Sequence, residues 1–182
     1  SYDMAEAILE NALDTKLSKD EEIGYHIYIY TNLAESMSQR GNYDQALEAI
    51  QIAESKLEKA KQEDFPECVL SLKISKALAY HGLGDVRESK RLLNEIDDES
   101  LKNNSLDVVN FAIPYYEASS YVMLSEGKLD KAQECFEHYL AYCDKYMFNM
   151  MKLKYIDKFT KVAQLYGYED ADFIQRYLDG LL

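Results

Sequence analysis

Three observations predict an all-α fold. Apolar residues recur at spacings of three and four along nearly the whole 182-residue chain, which is the period of a helix with one buried face. Gly and Pro, the residues that punctuate helices, number only seven and two. One short pattern also returns at a constant step: Gly41-Asn42-Tyr43-Asp44-Gln45-Ala46, Gly84-Asp85-Val86-Arg87-Glu88-Ser89 and Gly127-Lys128-Leu129-Asp130-Lys131-Ala132. It reads Gly, polar, apolar, Asp or Arg, polar, small. The glycines lie 43 residues apart twice over, at 41, 84 and 127. A Gly at the end of one helix accepts the left-handed backbone that terminates it, and the small residue five positions later lets the next helix approach closely. Each unit is therefore a helical hairpin that needs stacked neighbours to bury its apolar faces.

Taken in order, the periodicity predicts helices over 3–16, 21–40, 43–62, 67–83, 85–97, 105–126, 128–146, 149–166 and 170–181, about nine in all. The first carries Tyr2, Ala5, Leu9 and Ala12, matching Tyr43, Ala46, Ile50 and Ala53 of the third, so it is the second half of a hairpin. Ser18 and Asp20 precede the second helix, Asp64 and Pro66 the fourth, and Ser105 the sixth. Each supplies an oxygen for an orphan backbone N–H or a ring that fits the first turn. The third, fifth and seventh follow Gly41, Gly84 and Gly127. Pro114 falls inside the sixth pattern, where it predicts a bend, or a break between 105–113 and 115–126. The eighth and ninth pair through the turn Tyr166-Gly167-Tyr168-Glu169-Asp170, which does not keep the 43 step. Ser1 is not an initiator Met and the helical pattern begins at once, so the chain reads as a piece of something longer.

Composition narrows the function. With 33 Asp plus Glu against 20 Lys plus Arg the formal charge is -13, which repels a phosphate backbone and excludes nucleic acid as the partner of this chain alone. No apolar run approaches the roughly 20 residues that span a bilayer, and no signal peptide opens the chain, so no membrane partner is expected. Three Cys, at 68, 135 and 143, is an odd number that fits a reducing cytoplasm rather than a disulfide scaffold. Hydrophobic residues at 47% suffice for an ordinary core.

The repeats resemble the tetratricopeptide (TPR) repeat. In 27–60 the resemblance is carried by Leu33, Ala34, Met37, Gly41, Tyr43, Ala46, Ile50 and Ala53. In 70–103 it is carried by Ala77, Tyr80, Gly84, Ser89, Leu93 and Ile96, with Lys76 standing where an apolar residue is expected. In 113–146 it is carried by Ser120, Met123, Gly127, Leu129, Ala132, Phe136 and Tyr139. A step of 43 exceeds the family's roughly 34 residues, and such lengthened repeats look typical of bacterial cytosolic signalling and transcription regulators. The resemblance implies a single domain over 1–182, an α-solenoid in which antiparallel hairpins form a right-handed superhelix. Its parts would be a half repeat at 1–16, hairpins at 21–62, 67–97 and 105–146, and a closing hairpin at 149–182.

Residue chemistry points away from catalysis. There is no GxSxG elbow and no Gly-rich phosphate loop. Ser119-Ser120 lies within a helix as a small packing pair, and the acidic clusters Asp20-Glu21-Glu22 and Asp97-Asp98-Glu99 sit at helix starts and links, where acids favour the dipole or face water. Cys135, His138 and Cys143 could nearly share a helix face, yet no CxxC or HExxH spacing supports a metal; free, buried Cys is the expectation. His26, His81 and His138 read as surface or half-buried residues. No enzyme, cofactor or metal site is expected.

In the TPR family the first helix of each hairpin lines a groove that holds peptides or partner tails. Carried onto this chain, the groove positions are Tyr28, Thr31, Asn32, Glu35 and Gln39, then Ser71, Ile74, Ser75, Leu78 and His81. Glu117, Tyr121, Leu124 and Ser125 follow, and the last hairpin contributes Lys154, Asp157 and Lys161. The Lys-and-Asn cluster by which some members clamp a terminal carboxylate is missing. Asn32 is the leading candidate, because a mid-helix amide has poor propensity yet can grip an extended backbone. Most of the sixteen Tyr are assigned to packing, with Tyr28 and Tyr121 in the groove. The acidic charge suggests a partner of basic character. The expected function is peptide or protein-segment binding by the sensory module of a regulator. The alternative is a self-association scaffold in which the half repeat Tyr2–Leu13 stacks on another copy.

Overall fold

The computed structural model describes residues 2–13, 19–96 and 106–179. Among these it contains α1 (Tyr2–Ala12), α2 (Lys19–Arg40), α3 (Tyr43–Leu57), a 3-10 turn (Gln62–Asp64), α4 (Pro66–Gly82), α5 (Val86–Asn94), α6 (Leu106–Ser125), α7 (Leu129–Lys145), α8 (Asn149–Leu165) and α9 (Asp172–Asp179). The chain is all-helical, as its periodicity predicts. The predicted cap residues Ser18 and Ser105, the acidic link after Ile96 and the last residues of the first and ninth helices lie outside the described residues.

Several boundaries differ from the sequence reading for local reasons. Helix α2 starts one residue ahead of Asp20, which therefore belongs to its first turn. Helix α3 stops at Leu57 rather than 62, since Gln62–Asp64 form a separate 3-10 turn and Pro66 starts a new helix at its own first turn. Asp64 is thus not the cap of α4; Phe65 holds that place without a side-chain bond. Asp85 does cap α5, accepting the Glu88 N–H at 3.1 Å. Helix α6 runs unbroken through a buried Pro114, so the alternative of two pieces fails. The residues around it, Ala112, Ile113, Ala118 and Val122, are all buried, and packing of this kind overrides a local preference.

The turns share one geometry. Gly41, Gly84, Gly127 and Gly167 have φ of 86°, 89°, 70° and 77°. Each is followed by a residue whose N–H bonds the carbonyl five positions back: Asn42 to Met37, Asp85 to Tyr80, Lys128 to Met123 and Tyr168 to Ala163. This is the Schellman closure. A fifth closure of the same kind was not foreseen, because its residue is Met147, with φ 58° and the Phe148 N–H on the Cys143 carbonyl at 2.8 Å. A side chain there meets the left-handed penalty that Gly avoids, and Met147 is 81% exposed, so its packing returns little. Met147→Gly is expected to raise stability by about 0.5–1 kcal/mol, the penalty less the extra entropy of Gly in the unfolded chain. A lower thermal midpoint in the variant would contradict this account.

By its internal contacts the chain separates into two compact units, Ser1–Ile96 and Asp97–Leu182. In the first, α2, α3 and α4 pack mutually, with α1 on α2 and α5 on α4. The core is aliphatic, built from Ile27, Leu33, Ala34, Ile50, Ala53, Leu57 and Leu72. Bonds between α2 and α4 climb both helices together: Ser71 with Glu35 and Ser38 with the Ser75 carbonyl. The two first helices therefore run parallel. The ring of Tyr43, opening α3, lies so close over Gly82, ending α4, that a Cβ there would sit 2.0 Å from it. In the second unit α6, α7 and α8 pack mutually around an aromatic core of Phe136, Tyr139, Tyr155, Phe159 and Phe173. The small positions of the repeat close both cores, since Ala46, Ser89 and Ala132 are fully buried. Ser89 stands where the others carry Ala, and its hydroxyl finds no partner.

Candidate partner-binding surface

In the first unit the candidate stripe lies along α2. Tyr28, Asn32, Glu35 and Gln39 follow at helical steps of four, three and four, so they share one face. Tyr28 is 47% exposed and is held edge-on against Phe65 at 5.6 Å. Asn32 is exposed, and its amide N–H donates to the Tyr28 carbonyl at 2.7 Å. Half of its grip is thereby spent on its own helix, leaving the carbonyl oxygen for a ligand. Glu35 and Gln39 are half-buried. The Glu35 carboxylate accepts from Ser71 and from Gln39, each at 3.4 Å, and burial pushes its pKa up against the pull of the Ser71 hydroxyl.

The other expected groove positions of this unit turn inward. Thr31 is buried, donating to the Ile27 carbonyl at 2.7 Å. Ser71, Ile74, Ser75, Leu78 and His81 are buried along α4. Ser71 and the Ser75 carbonyl are bonded to α2.

The second unit repeats the lesson. Glu117 and Tyr121, expected in the groove, are 6% exposed each. The Tyr121 hydroxyl donates to the Glu117 carboxylate at 3.1 Å, and Lys158 of α8 reaches the same oxygen at 3.3 Å. Beside them the Tyr155 hydroxyl donates to Ser120 at 2.8 Å, and Ser120 donates to the Glu117 backbone carbonyl at 2.7 Å. Burial and the neighbouring Glu117 charge hold Tyr121 well above the ordinary phenol range; burial does the same at Tyr155. Leu124 is buried and Ser125 half-buried, its hydroxyl on the Val122 carbonyl. Only the α8 residues stay outside: Lys154, Asp157 and Lys161 are exposed on one face, the last two paired at 2.7 Å. The same face carries Met150 and Leu165, 66% and 75% exposed.

The open candidates thus reduce to two patches, one on α2 of the first unit and one on α8 of the second. Sequence reasoning missed Lys158, which lies one turn from Lys154 but leans toward Glu117. It also missed Tyr25, 39% exposed one turn before Tyr28, which the same helical step would have found. Lys76, out of place for its repeat, has a partner: its ammonium sits 2.7 and 2.9 Å from the two Glu54 oxygens. The pair borders a cleft of about 280 Å³ floored by Leu57, Val69, Leu72 and Leu92.

Among the described residues no three His, Cys, Asp or Glu gather as a metal site, and no helix is long and apolar enough to cross a membrane. Cys68 and Cys143 are buried, and Cys135 is half-buried. His138 stacks on Tyr116 at 4.9 Å, and His26 meets Tyr30 edge-on at 6.4 Å. Compared with protein-family models, curated proteins and solved structures, the chain gives no significant match.

Proposed function

We propose that the chain is a non-catalytic, TPR-like module that binds a peptide or protein segment along its first helices, as the sensory or interaction part of a bacterial cytoplasmic regulator. In this reading the hairpins form a right-handed solenoid, and a bound segment changes its curvature. The observation that carries it is the recurrence of one hairpin closure at Gly41, Gly84, Gly127 and Gly167. Repeated hairpins in other folds of this kind serve as extended binding surfaces. The parallel run of α2 and α4 supports it, as do the exposed ring and amide of Tyr28 and Asn32. The Ser120 and Tyr121 hydroxyls are committed to bonds inside the core.

Titration calorimetry against a peptide library is the test. Tyr28→Ala and Asn32→Ala are each expected to weaken binding about 10-fold, the loss of one well-placed contact of roughly 1.4 kcal/mol. Binding untouched by both substitutions would sink the α2 assignment.

A second reading, self-association through α1, is favoured by Met4 and Ile8, one turn apart and 66% and 62% exposed. On the side facing α2, Glu6 of α1 is tied to Ser36 at 2.9 Å and to Arg40 at 2.5 Å. Sedimentation decides between them: a monomer at all concentrations rules this reading out, whereas an oligomer dissolved by Ile8→Glu supports it.

A further inference from the structure

Among the described residues, five carboxylates reach a cation on a neighbouring element. Glu6 pairs with Arg40, Glu54 with Lys76, Glu95 with Lys73, Glu117 with Lys158 and Asp144 with Lys152. Glu35 differs. Between α2 and α4, its only partners among the described residues are the neutral Ser71 hydroxyl and Gln39 amide, both at 3.4 Å. Those distances are long for bonds to a carboxylate, and an ionised carboxylate accepts up to four. Taking such a group out of water without a counter-charge is costly, so a cation arriving from outside would recover much of that cost.

What surrounds Glu35 shapes the cation. Asn32, three residues earlier on the same face, has its N–H turned back to the Tyr28 carbonyl, so the amide presents its oxygen. The exposed Tyr28 ring lies one further turn away, braced by Phe65. From Tyr28 to Gln39 the stripe is about 16 Å long. A carboxylate beside a carbonyl oxygen, with an aromatic face adjoining, suits a planar donor with several N–H groups and an affinity for rings.

We propose that the Tyr28-Asn32-Glu35-Gln39 face of α2 binds a basic peptide segment through an arginine side chain seated on the Glu35 carboxylate. This rests on the peptide-binding reading above and specifies its partner. The Asn32 oxygen takes a second N–H of the guanidinium or of the peptide backbone, and the Tyr28 ring covers the side-chain methylenes. The overall charge of -13 speeds the encounter, while the Glu35 seat selects among basic segments.

The test uses the full chain and fluorescent hexapeptide pools, randomised except for one fixed position carrying Arg, Lys, citrulline or Gln, read by anisotropy. Arg pools are expected to bind about 10-fold more tightly than citrulline pools, which keep the shape but lose the charge, a difference of roughly 1.4 kcal/mol. Glu35→Gln should abolish that preference while leaving the thermal midpoint unchanged or raised, since the substitution removes a half-buried carboxylate that has no counter-charge. Affinity for Arg pools should also fall as acidification protonates Glu35, whose pKa burial has raised. If Arg and citrulline pools bind alike, or if the preference survives Glu35→Gln as a general attraction to an acidic protein, the seat is overturned and peptide binding stands. If no pool binds, the peptide-binding reading falls and this proposal with it.

Discussion

Phe136→Ala is expected to cost the second unit about 3–5 kcal/mol, the range for removing a buried aromatic side chain. Phe136 is 1% exposed, and its ring meets four others: Phe159 at 4.5 Å, Tyr177 at 5.1 Å, Tyr155 at 5.5 Å and Phe173 at 5.8 Å. These come from α8 and α9, while Phe136 belongs to α7, so one side chain ties the last hairpin to the one before it. Truncation leaves a cavity walled by rings that cannot bend into it, and the edge-on and tilted pair contacts go too. Against a typical domain margin of about 5–15 kcal/mol, the loss should appear in calorimetry as a midpoint lower by about 10 °C or more. A shift under about 3 °C would mean that the aromatic cluster repacks, contrary to its close-packed geometry.

Alkaline pH should unfold the chain through Tyr121 and Tyr155. Both phenols are held well above their ordinary value of 10.0, chiefly by burial. A phenol whose folded pKa is raised stays protonated in the native state. Stability from these groups is therefore complete below pH 10 and declines as the unfolded chain begins to lose the protons. Each contributes a slope that approaches about 1.4 kcal/mol per pH unit as the unfolded chain ionises, so the pair removes about 2 kcal/mol over the first unit above the unfolded pKa. Denaturant melts across that range measure the slope, to which the raised thiols of Cys68 and Cys143 also contribute, and Tyr121→Phe should lower it by one phenol's share. An unchanged slope in that variant, or tyrosinate absorbance from these two residues before unfolding, would refute the assignment.

What was legible in the sequence was whatever depends on near neighbours along the chain. The helices follow from spacing, and the turns at Gly41, Gly84 and Gly127 from a residue type with one main reason to be there. The turn at Met147, which links two hairpins, has the same backbone but no such marker. Pro114 allowed a break that the structure does not contain, because its missing N–H was weighed locally while α6 packs as one helix against α7 and α8. The candidate surface was legible only in part. Helical periodicity says that Tyr28, Asn32 and Glu35 share a face, as do Ser71, Ser75 and Leu78. It does not say how near the next helix comes, and that distance separates an exposed Asn32 from a buried Ser75. Glu117 shows the limit best: the family resemblance places it in the groove, whereas Tyr121 and Lys158 meet its carboxylate within the fold.

The contact of Tyr43 with Gly82 bears on modularity. Arrays of hairpins are attractive to lengthen or shorten by copying units, on the assumption that any unit fits against any other. Here the first hairpin supplies a ring and the second supplies the bare backbone beneath it. The corresponding places, two residues before the turn glycines, hold Gln39, Ser125 and Leu165, whose side chains leave no such seat. Grafting a further copy of 21–62 ahead of another hairpin of this chain would therefore set Tyr43 against a side chain. The junction must travel as a matched pair, so the interchangeable block is the joint between two hairpins rather than the hairpin itself.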